Sequence, residues 1–178
     1  MAQRKLEWHE QWLLALLGAE GCAQLRARSG VLADLVLRLD FDPGVITAWV
    51  GHDNASYQVT LKLPSAETAA LASFQAALSA NEDWLATIRE GCISKKIVAC
   101  ALAHGLKLFP RLDEVQVSCT CHDEAEAKAE SEAESEAAVL LCPQVAAVIA
   151  LVGVFMDDEP SLLLLLAGID LEALLGRV

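Results

Sequence analysis

An α+β fold is predicted from three observations. Apolar residues recur at helical spacing at both ends of the chain; from Val31 to Leu63 the apolar period changes to two and is broken by turn residues; and a further alternating segment leads into a Cys-x-Cys pair. The expected architecture is a three-stranded antiparallel meander with packed helices over 1–113. A cysteine-bearing segment with an acidic spacer at 123–138, and C-terminal helices, follow over 114–178. A length of 178 residues suits one domain with a proper core, or one domain plus a small module.

The first element is an amphipathic helix over 4–17, with Trp8, Trp12, Leu13, Leu16 and Leu17 on one face and Gly18 as its stop. A short helix from Cys22 to Arg28 follows. Leu35, Leu37 and Leu39 then alternate with Val36, Arg38 and Asp40 and are expected to share the inner face of a first strand. The turn Asp42-Pro43-Gly44 leads to a second strand at 45–50. Gly51 to Asn54, with His52 in a turn, leads to a third, on which Tyr57, Val59, Leu61 and Leu63 share a face.

After Pro64, Ser65 is the expected N-cap of an Ala-rich helix over 66–79. Asn81 caps a short helix carrying Trp84, Leu85 and Ile88, which Gly91 ends. A third helix runs from about Ile93 to Ala103, and Leu108 and Phe109 dock on the core. Residues 114–119 form a last strand that delivers Cys119 and Cys121. A helix starts at Pro143, which suits a first-turn position, and runs to about Val154. Another starts at Pro160, and Asp170 caps the last.

Charge narrows the function classes. The net charge is −12, and the spacer 123–138 supplies half of it, with seven acids against Lys128 alone. Its like charges at i, i+4 and its lack of an apolar stripe predict a loop. Gripping a nucleic-acid backbone takes a basic stripe, and the 13 Lys and Arg residues are scattered, so unassisted DNA binding is not expected. The first ten residues show no apolar signal core, and the cysteine pattern suits a reducing cytosol, so a cytoplasmic protein is expected. The apolar run 137–155 is flanked by acids on both sides and is read as a buried core helix, not a membrane span.

Three cysteines carry the chemistry. Cys119 and Cys121 form the Cys-x-Cys pair, and Cys142 opens Cys-Pro-Gln-Val at a helix start. Two pairs of ligands brought together from a strand end and a helix start make a tetrahedral zinc site, but the fourth position holds Gln144, whose neutral carboxamide is a poor substitute for thiolate or imidazole. Three outcomes stay open. Zinc is held by the three thiolates, with water, Gln144 or a histidine (His122 or His104) completing the shell; or the site is metal-free and its cysteines are small buried apolar groups; or two thiols pair under oxidation.

The segments Val-Ser-Cys-Thr-Cys-His-Asp at 117–123 and Cys-Pro-Gln-Val-Ala-Ala-Val at 142–148 resemble the SWIM zinc-finger family, whose signature is Cys-x-Cys, a spacer, then Cys-x-His leading into a helix. The strand pair at 45–50 and 57–64, Gly105 to Pro110, and the stretches from Phe155 and from Ala167 are similar to the segments flanking that finger in bacterial members. The sequence departs from the pattern at Gln144 and in its long acidic spacer. The resemblance implies a non-catalytic accessory subunit that binds zinc and a protein partner, such as a Swi/Snf-type helicase-like ATPase or a nucleic-acid-associated complex. The other classes are a direct DNA-binding finger and a thiol- or zinc-dependent enzyme. A Cys121–His122 dyad is geometrically poor, because neighbours on a strand point to opposite faces.

Overall fold

The computed structural model describes residues 8–26, 35–52, 55–121 and 142–176. The fold is α+β, as predicted, and it is organised around a four-stranded antiparallel sheet. Helix α1 (Trp8–Arg26) breaks at Gly18, whose φ of 68° and ψ of 179° are non-helical, so the predicted stop is a kink between two helical pieces. Trp8, Trp12, Leu13 and Leu16 before the kink are buried, as are Cys22 and Leu25 after it.

Strands β1 (Val36–Asp42), β2 (Val45–His52) and β3 (Ala55–Lys62) form the expected meander, and β4 (Gln116–Cys119) adds to β3, giving the order β1-β2-β3-β4. Gly44, at a φ of 73°, closes the first hairpin in a backbone region that side chains with a Cβ rarely adopt. The register places Phe41 opposite Ile46, Ile46 opposite Leu61, and Ala48 opposite Val59, which puts these residues on one inner face. The alternate positions, Thr47, Trp49, Gln58 and Thr60, share the other face. There the Arg38 guanidinium lies 5.4 Å from the centre of the Trp49 ring, and its Nε is 2.8 Å from Asp40 Oδ2.

One expectation for β1 needs correction. The register shifts between Val36 and Arg38, so Leu37 is the extra residue of a bulge and is 68% exposed. Val36, Leu39 and Phe41 pack against the core instead, and Leu37 lies over Gly51. His52 is the last residue of β2, paired with Ala55, and not a turn residue.

Three helices follow the meander: α2 (Thr68–Ser79), α3 (Glu82–Arg89) and α4 (Lys95–Ala103). Ser65 does not cap α2. The helix starts later, after Glu67, which makes no side-chain cap. The chain just past β3 is still held to the sheet, because buried Leu63 donates its N–H to Gly44 O at 2.8 Å. Asn81 caps α3 as expected, its Oδ1 accepting from Trp84 N at 3.1 Å, and Ser94 Oγ accepts from Ile97 N at the start of α4. Leu106 and Leu108 are buried, and Phe109 stacks on Trp8 with ring centres 6.4 Å apart, so the segment ahead of β4 docks on α1.

Helix α5 (Pro143–Asp158) runs a turn further than predicted. It contacts all four strands and packs along α1. Val145, Val148, Ile149, Val152 and Met156 are at most 1% exposed. Among the described residues no helix is long and apolar enough to cross a membrane. Helices α6 (Leu162–Leu166) and α7 (Leu171–Leu175) close the chain, the latter capped by Asp170, whose Oδ1 accepts from Ala173 N at 2.9 Å. Residues of α1, the sheet, α2–α4, α5 and α6 belong to one continuous core.

The α1–α5 contact depends on a small residue. A Cβ on Gly153 would sit 2.6 Å from His9 Cδ2, and the His9 backbone is itself tied down, its N–H donating to Asp157 Oδ1 at 3.0 Å. Gly153→Val is expected to destabilise the protein by about 1–3 kcal/mol through overpacking, read as a lower urea midpoint at unchanged m-value. An unchanged midpoint would mean that the two helices separate freely.

Candidate metal centre

The cysteine site is built from the last strand and the start of α5. Before β4, a 3-10 turn (Leu112–Glu114) is fixed by the Glu114 carboxylate, which accepts from Arg111 N at 2.9 Å and pairs with the Lys107 ammonium. The Lys107 contact, then the Arg111 N–H, hold the Glu114 carboxyl below the usual carboxylate range. Strand β4 then pairs with β3, with Cys119 opposite Val59. Because Val59 lies on the inner face, so does Cys119, which is 4% exposed.

Past Cys119 the ladder is prolonged by a side chain. Thr120 Oγ1 accepts from Gln58 N at 3.0 Å, so the Gln58 N–H bonds to a side chain at this point. Thr120 and Cys121 take helical backbone, so the strand delivers Cys119 but not Cys121 as expected, and Cys119 Sγ donates to Cys121 Sγ at 3.0 Å.

The third sulfur arrives from the helix. Cys142 is the N-cap of α5, in extended backbone geometry, and its Sγ accepts from Val145 N at 3.4 Å. Pro143 at the first helical position has no N–H to satisfy, which suits this start. The Sγ atoms of Cys119, Cys121 and Cys142 lie within 4.8 Å of one another, close enough to hold a metal ion.

The three thiols fit zinc in kind and spacing and are one donor short of its usual four. A tetrahedral zinc with Zn–S bonds of about 2.3 Å spaces its sulfurs about 3.8 Å apart. The Cys119–Cys121 pair, 3.0 Å apart, would open by under about 1 Å to meet that geometry, a shift within the reach of side-chain rotation.

The other sequence candidates fall as follows. Gln144 is in the first turn of α5 with its side chain buried, at 6% exposure. His104 is not part of the cluster: it caps the end of α4, its Nδ1 is 3.0 Å from Ser73 Oγ, and its ring lies against Phe74. His122 and the acidic spacer lie outside the described residues. Thr120, which sequence reasoning did not single out, left one signal only, its place between two cysteines. Among the described residues, Arg38, Lys107 and Arg111 each pair with a neighbouring carboxylate, in keeping with the scattered cations of the sequence. Comparison with protein-family models, curated proteins and solved structures gives no match for this chain.

Burial pushes the Cys121 thiol above the ordinary thiol range; the hydrogen bond from Cys119 opposes this, and the nearby Cys142 sulfur adds to it. A raised thiol pKa means that the folded state keeps its proton longer than the unfolded chain. The associated stability is therefore complete below the unfolded thiol pKa and is lost as pH rises through the folded one. In metal-free protein, alkylation of Cys121, followed by peptide mass mapping, is expected to rise at higher pH than in the same chain in urea. A profile that coincides with the urea profile would show that the thiol is not desolvated.

Proposed function

We propose that the chain is a non-catalytic interaction module of the SWIM type, acting as an accessory subunit in the reducing cytosol. In this reading zinc on Cys119, Cys121 and Cys142 pins the end of β4 to the start of α5, and the rigid unit so formed presents its surface to a protein partner. The observation that carries it is the convergence of three sulfurs from two elements separated by an acidic spacer in the sequence. A bound zinc would supply a cross-link between the end of β4 and the start of α5. Gln144 occupies the position of the fourth ligand in the SWIM pattern.

The partner favoured is a Swi/Snf-type helicase-like ATPase, or another subunit of a nucleic-acid-associated complex. Support comes from charge: a chain of net charge −12 is suited to a basic protein surface and is repelled by a phosphate backbone.

Protein purified without chelator is expected to carry about one zinc per chain. Cys142→Ser is expected to lose that zinc while staying folded, because serine is a preferred N-cap and can accept the Val145 N–H. Gln144→His is expected to raise zinc affinity at least about tenfold, near 1.4 kcal/mol, and to raise Tm with it. Zinc content near zero after reconstitution under reducing conditions, in wild type and Gln144→His alike, would sink the metal reading. For the partner, co-elution with a Swi/Snf-type ATPase from the same genome is expected, and chelator is expected to weaken it. Tight binding to duplex DNA at physiological salt, with no such co-elution, would overturn the assignment.

A further inference from the structure

We propose that the three-cysteine cluster is a receptor for trivalent arsenic, bound as a neutral tris-thiolate. The proposal rests on the reading that Cys119, Cys121 and Cys142 form one site, and it names an ion class for which the three described sulfurs are a full ligand set. Among the described residues the cluster consists of three sulfurs, with no histidine or carboxylate within reach. Zinc asks for a fourth donor. Trivalent arsenic does not, because a stereochemically active lone pair occupies the fourth direction of its pyramid.

Charge points the same way. Three thiolates on zinc leave a net charge of minus one, and three on copper(I) leave minus two. Three on trivalent arsenic leave none. Cys119 and Cys142 are 4% and 7% exposed, and the residues beside them, Val59 and Val145, are fully buried. In such apolar surroundings an uncompensated charge is costly.

The step balances without an oxidant. Arsenous acid meets three thiols; its three As–O bonds and the three S–H bonds break, and three As–S bonds form. Each thiol proton leaves on a hydroxide as water, so three waters are released and arsenic stays trivalent. The sulfurs already stand within 4.8 Å of one another, so little rearrangement precedes the reaction.

The test uses the full chain, reduced with a phosphine, and sodium arsenite as the only probe. Native mass spectrometry is expected to show one arsenic gained and three protons lost. X-ray absorption at the arsenic edge is expected to show three As–S bonds and no As–O bond. Cys119→Ser, Cys121→Ser and Cys142→Ser are each expected to lower arsenite affinity about 100-fold, whereas Cys92→Ser and Cys100→Ser leave it unchanged. Arsenite is expected to displace zinc from the wild type. Gln144→His is expected to shift that competition at least about tenfold towards zinc.

Arsenic bound through two sulfurs, or bound equally well by Cys142→Ser, would overturn the proposal. If zinc binds at one per chain, is lost in the cysteine variants and resists arsenite, the ion class is wrong and the metal-site reading stands. If neither ion binds, both fall.

Discussion

The rest of the structure depends on the seating of α5 across the inner face of the sheet. Its sequence is apolar on nearly every side, and the fold buries most of it with strands below and α1 alongside, leaving Val154 and Phe155 exposed. Burying a Val, Ile or Met side chain is worth about 1.5–3 kcal/mol, and five such residues on this helix are essentially inaccessible. Gly153 follows from the same constraint, because the two helices approach closely enough for His9 to occupy the space of a Cβ. So does the position of Phe155, whose ring meets Phe41 of the edge strand at 5.9 Å in an edge-to-face contact.

The cysteine cluster is a consequence of that seating. Strand β4 is held by its ladder to β3, and α5 is held by the core, so the end of one and the start of the other are neighbours whatever the sulfurs do. In very small zinc fingers the metal provides the folding energy outright. Here the core is large and continuous, and the sulfurs are brought together by packing. An ion arriving at this place meets ligands already near their final positions, which lowers the ordering cost that weakens many binding sites. A metal bound there would act as a local clamp, and removing it would loosen a corner without dissolving the fold.

Much of this was legible in the sequence, for reasons that can be traced to particular residues. Asn81 and Asp170 announce helix starts because their short side chains accept a backbone N–H, and Gly18 announces a break because it tolerates a positive φ. The meander was legible because alternation and turn residues agree. Leu37 was misplaced because a bulge shifts register by one residue, and nothing in an alternating run marks where the extra residue falls. Pairing of β4 with β3 joins residues about sixty positions apart, and local pattern carries no information on it. The three cysteines could be nominated from their spacing, but their mutual approach is a property of the packed helix. Thr120 was invisible for the same reason, since its role is to meet Gln58 across the sheet.

Cys142 caps α5, and ligating an ion would add a second duty that calls for a different atom. As an N-cap it must accept the Val145 N–H, and sulfur is a weak acceptor that does so at 3.4 Å; an oxygen would do it better, which is why serine, threonine, aspartate and asparagine lead at such positions. Capping alone therefore gives no reason for a thiol here. The helix end adds one, because the partial positive charge of the first turn, about half an elementary charge, favours a sulfur that has given up its proton to an ion. A thiol at this position is a compromise in which the cap is weakened and the ligand is strengthened. An ion bound here would therefore make the α5 terminus the place where ligation and helix stability meet.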